Sequence, residues 1–137
     1  VSTGVTFSKL YPINSPNLIL EGLGFIILIS GFAIRWTAIY QLKKAFTVDV
    51  SVSINHKIKK DGLYKIIRHP SYLGLILEFL GLSLLFDSWV SLFIINIPVF
   101  LALSYRIKIE EELLSNTFGN EYEIYKKQTK RILPGIY

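Results

Sequence analysis

The chain has 137 residues, of which 51% are apolar and 14% aromatic, and its mean hydropathy is +0.44. A soluble domain of this length has too little interior to bury so much apolar surface, so the composition indicates one integral membrane domain, residues 1–137. The absence of cysteine excludes disulfides, thiolate metal sites and cysteine nucleophiles, and two histidines are too few to favour a metal site. The chain also lacks methionine, so we interpret it as a fragment or a processed chain, with loss of an N-terminal span as one alternative.

Three apolar runs follow in chain order, and their lengths fit membrane helices. The first extends from Leu18 to Leu42, the second from Tyr72 to Phe86 and the third from Trp89 to Tyr105. Only Asp87 and Ser88 separate the second run from the third, which leaves room for no more than a tight helical hairpin. The sequence therefore predicts an all-α, polytopic membrane protein with about three transmembrane helices, arranged as a span plus a hairpin.

The positions of the basic residues test this topology. Of fifteen lysines and arginines, seven lie between Lys43 and Arg68 and six between Arg106 and Arg131. A span followed by a hairpin puts both segments on one side, which the positive-inside rule makes cytoplasmic. The second segment is expected to form a C-terminal amphipathic helical region there. Because juxtamembrane basic residues ordinarily meet anionic lipid, the net charge of +5 does not indicate nucleic-acid binding.

Small and polar residues recur at helical spacing along the first two runs. Gly24, Gly31 and Arg35 share one stripe of the first helix, and Gly74 and Glu78 share one of the second. Small residues let helices approach closely, and charged residues within a span usually face protein or water. Both stripes are therefore predicted to face the bundle interior. They are either packing seams with incidental polar residues or, for the two charged residues, part of a site.

The first motif runs from Asp61 to Gly74, a basic loop that leads into the second apolar run. Pro70 suits the first turn of a helix, where a backbone N–H has no helical partner to lose. The free backbone donors of that turn, next to Arg68 and His69, predict a site for an anion. The alternative is a helix entry whose basic pair meets lipid headgroups.

The second motif is acidic and begins just after the third apolar run. Glu111, Leu114 and Phe118 share one helix face, which places a carboxylate at the head of an apolar stripe near the membrane surface. Gly119 is predicted to end this helix, with a second short amphipathic helix after it. The alternative is a solvated acidic patch that neighbouring basic residues neutralise.

In this order the two motifs resemble the isoprenylcysteine carboxyl methyltransferase family and its bacterial and archaeal relatives. The pattern is Gly-x-Tyr…Arg-His-Pro-x-Tyr-x-Gly, a helical hairpin, and then Glu-Glu-x-x-Leu-x-x-x-Phe-Gly-x-x-Tyr-x-x-Tyr. The resemblance runs from about Gly31 to the C-terminus and includes the stretches Phe46–Thr47 and His56–Lys57.

This resemblance implies an enzyme that transfers a methyl group from S-adenosylmethionine, bound at the cytoplasmic membrane face. Matching motifs imply that the cofactor is contacted by Tyr64, His69, Pro70, Tyr72, Gly74, Glu110 and Glu111. Glu112 is an acid beyond the pair of the family pattern, so the choice among the three glutamates stays open by one position. Neither a metal nor a nucleic acid is expected.

The implied acceptor is lipophilic or amphiphilic and carries a carboxylate, a thiol or a lipid headgroup. An anionic acceptor needs orientation and exclusion of water rather than a general base. Arg68 and Arg35 are the residues expected to hold such a group during catalysis.

Two other functions remain open at this point. One is a sterol-type membrane reductase that uses NADPH, although a 2′-phosphate would favour arginines where this chain has glutamates. The other is a scaffold of the same fold without catalytic activity.

Overall fold

A computed structural model describes residues 18–45, 58, 60–135 and Tyr137. The stretches Phe46–Thr47 and His56–Lys57 of the sequence motifs lie outside the described residues. The described chain is helical, with elements in the order α1 (Leu18–Ala45), a short 3-10 helix (Gly62–Lys65), α2 (Pro70–Leu85), α3 (Trp89–Phe118) and α4 (Asn120–Gln128). The β-type backbone pairing among these residues consists of one isolated parallel bridge between Ile67 and Lys130.

Helices α1 and α3 are long and apolar enough to cross a bilayer. Their most apolar windows have mean hydropathies of 2.0 and 1.8, and 11% of each window is buried within the protein. Helix α2 has 16 residues and extends ~24 Å, which is less than the ~30 Å hydrocarbon core of a bilayer. The prediction of long apolar helices is therefore confirmed, whereas the count of three membrane spans stays a prediction.

The connection between α2 and α3 is as tight as the sequence predicts. Helix α2 ends at Leu85 and α3 begins at Trp89, and Asp87 turns the chain with a φ of 49°. Helix α3 then continues well past Tyr105, where its apolar run ends, and reaches ~45 Å in length over 30 residues. Its polar C-terminal third, with the acidic motif, thus stands beyond the apolar part of the bundle.

Glycines form the contact surface between α1 and α2. A Cβ atom built on Gly74 would lie 2.6 Å from the Gly31 carbonyl oxygen, and one on Gly81 would lie 2.5 Å from the backbone nitrogen of Leu28. No side chain fits at such distances, so the two backbones meet directly. The predicted small-residue stripes are therefore confirmed as the seam between these helices.

Polar side chains add specific contacts within the same apolar bundle. Arg35 Nη1 of α1 donates to Glu78 Oε2 of α2 over 3.2 Å, while Glu78 Oε1 is buried without a hydrogen-bond partner in the described part of the chain. Between α2 and α3, Asn96 Nδ2 donates to Ser83 Oγ over 2.9 Å. These contacts fix the rotation of each helix against its neighbour.

At the end of α3 the backbone reverses at Gly119. This residue has a φ of 58°, in the left-handed region that favours glycine, and its N–H donates to the Ser115 carbonyl over 2.9 Å. Helix α4 starts at once and buries Tyr122 and Tyr125 on one face. The chain is thereby returned toward the loop that precedes α2.

Candidate active site

The site is built where the loop before α2 meets the segment after α4. The Arg68 N–H donates to the Lys130 carbonyl over 2.8 Å, and the His69 N–H donates to the Arg131 carbonyl over 3.0 Å. These bonds run beside the bridge between Ile67 and Lys130. Residues that lie some sixty positions apart in sequence are therefore held in register by their backbones.

Two buried tyrosines fasten this loop to its surroundings. Tyr64 donates its hydroxyl hydrogen to the Ala38 carbonyl of α1 over 3.3 Å, and Tyr125 of α4 donates to the Tyr64 carbonyl over 2.6 Å. Burial, with a smaller contribution from Glu110, raises the pKa of Tyr64 to about 12. Burial likewise raises the pKa of Tyr125, with a further contribution from Tyr122. Both hydroxyls therefore stay protonated and remain donors at neutral pH.

Glu111 is the centre of a buried cluster of positive and neutral donors. Its Oε1 atom lies 2.8 Å from Arg68 Nε and 3.2 Å from His69 Nε2, and its Oε2 atom accepts from Arg131 Nε over 3.1 Å. The Glu111 side chain is 7% exposed and that of Arg68 is 8% exposed. Two guanidinium groups at these distances favour the ionised carboxylate. The cluster joins both loop segments to α3.

Arg68 also donates hydrogen bonds to groups other than this carboxylate. Its Nη1 atom donates to the Thr129 carbonyl over 2.7 Å and to the Lys126 carbonyl over 3.1 Å. These two carbonyls belong to the end of α4, where helical carbonyls lack partners within the helix. Arg68 therefore closes the end of α4 while it pairs with Glu111.

Glu110 lies next to Glu111 in sequence but faces different surroundings, because successive helical residues point ~100° apart. Its Oε1 atom accepts from the Tyr72 hydroxyl and, over 3.2 Å, from Arg106 Nε. The Tyr72 ring stacks on His69 with 5.7 Å between ring centroids. The Glu110 side chain is 37% exposed, so this acid is accessible whereas Glu111 is enclosed.

A cavity of about 460 Å³ opens beside the Glu111 cluster. It is lined by Lys108, Glu111, Glu112, Ser115, Asn116, Lys126 and Arg131. Its volume falls in the range of roughly 300–1,000 Å³ that is usual for small-molecule sites. Acidic and basic side chains share its wall, so it suits a ligand that carries charges of both signs.

The structure brings together five of the nine site residues singled out from the sequence. They form one connected set of contacts, made by Arg68, His69, Tyr72, Glu110 and Glu111.

The other four lie in different surroundings. Gly74 belongs to the seam with α1, Pro70 is fully buried at the first turn of α2, and Tyr64 is bonded to α1. Arg35 pairs with Glu78, so it shares no partner with Arg68 in the described contacts.

Several residues of the site were missed by the sequence analysis. Thr129 and Arg131 lie in a short tail that has no periodicity, so no pattern signalled them. Lys108 and Ser115 stand one turn before and after Glu111 and Glu112 on α3, and that helical spacing was a usable signal.

Comparison with known proteins places this geometry in a family. A model of the isoprenylcysteine carboxyl methyltransferase (ICMT) family matches residues 23–116. The protein-S-isoprenylcysteine O-methyltransferase of Schizosaccharomyces pombe is 34% identical over 118 residues, which cover 85% of this chain and 49% of that protein. An uncharacterized protein of Haemophilus influenzae is 34% identical over 117 residues, which cover 82% of this chain and 67% of that protein.

A solved structure is also similar to this chain. It is that of the eukaryotic intramembrane Ras methyltransferase ICMT, with a TM-score of 0.76 and 28% sequence identity, over 85% of this chain and 43% of that one. The chain thus spans about half the length of the S. pombe relative. The sequence motifs, the family match and the shared fold agree, and the chain belongs to the isoprenylcysteine carboxyl methyltransferase family.

Proposed function

We propose that the protein transfers a methyl group from S-adenosylmethionine to a lipophilic or amphiphilic acceptor at the membrane surface. The proposal rests on two contacts in this member of the family. Glu111 lies within hydrogen-bond distance of His69, and Glu110 accepts from Tyr72, so both acids meet the Arg-His-Pro motif. One acid is enclosed and ion-paired, and the other is accessible. Together they hold two carboxylates in fixed positions, and Glu111 also lines the polar cavity.

The residues around the cavity fit the charges of this cofactor. S-adenosylmethionine carries an amino group, a carboxylate, ribose hydroxyls and a positive sulfonium centre. Glu111 and Glu112 suit the amino and hydroxyl groups, and the basic side chains on the cavity wall suit the carboxylate. When bound, the cofactor supplies a methyl group that the positive sulfur has already activated.

Glu110 and Tyr72 are proposed to contact the cofactor from the side of α2. Tyr72 already donates to Glu110, and His69 stacks on Tyr72, so the three side chains are held before any ligand arrives. Such preorganisation lowers the entropic cost of binding. Pro70, Gly74 and Tyr64 are proposed to shape the site through the backbone, because their side-chain positions are taken up by packing or by α1.

The two arginines are proposed to have different functions. Arg68 has its Nε and Nη1 atoms committed to Glu111 and the end of α4, which makes it a positioning residue. The Arg35 side chain is 37% exposed and has one described partner, Glu78. We assign Arg35 the function of holding an anionic or readily deprotonated acceptor head, which orients it and removes water.

The membrane arrangement is part of the same proposal. The chain is taken as one multi-pass domain in which α1, α2 and the apolar part of α3 all cross the bilayer. The site and α4 then lie on the cytoplasmic side, since the basic residues cluster there. A short α2 is accommodated by flanking aromatic residues and local thinning of the bilayer.

Equilibrium titration of the purified protein tests this function against the other two. We expect saturable binding of S-adenosylhomocysteine and much weaker binding of NADPH. A preference for NADPH would indicate the reductase, and no binding of either ligand would indicate the scaffold. Transfer of a labelled methyl group from S-adenosylmethionine to an extracted lipid fraction would then identify the acceptor class.

A further inference from the structure

A second groove has lining residues that differ from those of the active-site cavity. It encloses about 540 Å³ where the loop before α2 meets the segment after α4, and Lys65, Ile66, Lys127 and Lys130 are among its lining residues. The Lys130 N–H donates to the Ile66 carbonyl over 3.4 Å, beside the bridge from Ile67. Lysines from two distant parts of the sequence are thus held around one groove.

These three lysines are exposed and lie around one groove. Within the described chain none of them forms an ion pair, whereas Lys60 pairs with Glu121 and Lys126 pairs with Glu123. Like charges that share a groove repel one another, so the arrangement favours an anion. The neighbouring Lys126 lines the active-site cavity instead, and the two cavities have no lining residue in common.

An apolar side chain in the same groove indicates where the anion comes from. Ile66 is 54% exposed although it is flanked by lysines, and it precedes by four positions the start of α2 at Pro70. Apolar residues that insert among acyl chains, with lysines level with the phosphates, are typical of surfaces that contact anionic membranes. A soluble phosphate ligand would give no reason for Ile66 to be exposed.

We propose that this groove binds the phosphate headgroup of an anionic membrane lipid. Lys65, Lys127 and Lys130 contact the phosphate, and Ile66 contacts the upper part of the acyl chains. The lipid would hold the segment after α4 against the membrane. This site is independent of the proposed methyl transfer.

Lipid binding to the full chain in neutral detergent, measured by native mass spectrometry, tests the proposal. We expect phosphatidylglycerol to be retained in preference to phosphatidylcholine. Replacing one lysine of the groove with glutamine should weaken phosphatidylglycerol binding about fivefold, and replacing all three should weaken it tenfold or more. Phosphatidylcholine binding should not change.

Lys60→Gln is the matched control for each single replacement, because it removes an exposed lysine that already has a partner. An equal loss in the control and in the groove variants would overturn the site, since only net charge would then matter. Unchanged phosphatidylglycerol binding by the triple variant would also overturn it. Competition by soluble glycerol phosphate at the same concentration as lipid would show a free phosphate site and contradict the lipid assignment.

Discussion

Arg68 Nε lies 2.8 Å from Glu111 Oε1, and both side chains are less than a tenth exposed. The pair joins the Arg-His-Pro loop to α3, and the same guanidinium donates to the carbonyls at the end of α4. Three segments therefore depend on one side chain. Removing Arg68 would take from the buried Glu111 its more enclosed cationic partner and leave the partly exposed Arg131.

We expect Arg68→Gln to lower the free energy of unfolding by about 3–5 kcal/mol, the range for a broken buried pair. Arg68→Lys keeps the charge but loses the planar fork, so its effect on stability should be smaller yet still clear. Thermal unfolding in detergent, followed by size-exclusion chromatography, measures both. Lys60→Gln is the control, and an unfolding temperature of Arg68→Gln equal to that of the wild type would contradict the assignment.

The two adjacent glutamates should separate binding from stability. Glu110 is accessible, so Glu110→Gln should weaken S-adenosylhomocysteine binding by about 1.5–3 kcal/mol and leave stability almost unchanged. Glu111→Gln should reduce both, because it weakens three contacts of one buried carboxylate at once. Calorimetric titration and thermal unfolding measure the two quantities. Glu121→Gln is the exposed control, and wild-type affinity in both site variants would refute the cofactor assignment.

The glycine seam between α1 and α2 should tolerate no added methyl group. Gly81→Ala places a Cβ 2.5 Å from the Leu28 backbone nitrogen and should cost about 1–3 kcal/mol of stability. Gly22 lies on α1, and a Cβ there would meet nothing within 4 Å apart from its neighbours and the backbone of its own helix, so Gly22→Ala should be neutral or slightly stabilising. Thermal unfolding compares the two directly. Equal stability of both variants would mean that the helices do not pack as described.

The Arg35–Glu78 pair should respond unequally to loss of either partner. Arg35→Gln leaves the mostly buried Glu78 without its described cationic partner, and we expect a loss of about 1–3 kcal/mol. Glu78→Gln should cost less, because Arg35 is more exposed and its long side chain can extend toward water. The double variant should recover part of the loss. Thermal unfolding of the three proteins tests this order, and a larger effect of Glu78→Gln would reverse it.

The proposed topology can be checked with single cysteines, since the chain has none of its own. Lys60→Cys and Asn120→Cys should react with a membrane-impermeant maleimide from the same side. Phe86→Cys, in the turn between α2 and α3, should react only from the opposite side. Labelling of intact cells and of inverted vesicles distinguishes the sides. Reaction of the first two positions from opposite sides would contradict the three-span arrangement.

The helices could be predicted from the sequence because their signals are local. Apolar runs fixed α1 and α2 to within a few residues, and the Asp87 turn left no room for anything but a hairpin. The third apolar run ends at Tyr105, and the acidic motif after it was predicted as a helix that ends at Gly119; the structure joins the two in α3. The helix continues past Tyr105 without a break, where polar pairs one turn apart, such as Arg106 and Glu110, support it.

The closure of the site could not be predicted in the same way. The bond from His69 to Arg131 joins residues that belong to no repeating element, so no periodicity announces it. The expected joint function of Arg35 and Arg68 had a related weakness. The sequence placed the two arginines at the same end of the bundle. The folded structure pairs Arg35 with Glu78 and Arg68 with Glu111.

The backbone bonds from Arg68 and His69 to Lys130 and Arg131 have a consequence for biogenesis. Chains emerge from the ribosome N-terminus first, so α1 and α2 can insert and pack before residues 129–131 have emerged. During that interval the Arg-His-Pro loop lacks its backbone partners, and the end of α4 is not yet available to Arg68. A nascent chain therefore passes through a stage that is inserted and helical but has no ligand site, and ligands that stabilise the finished protein cannot rescue insertion defects in α1.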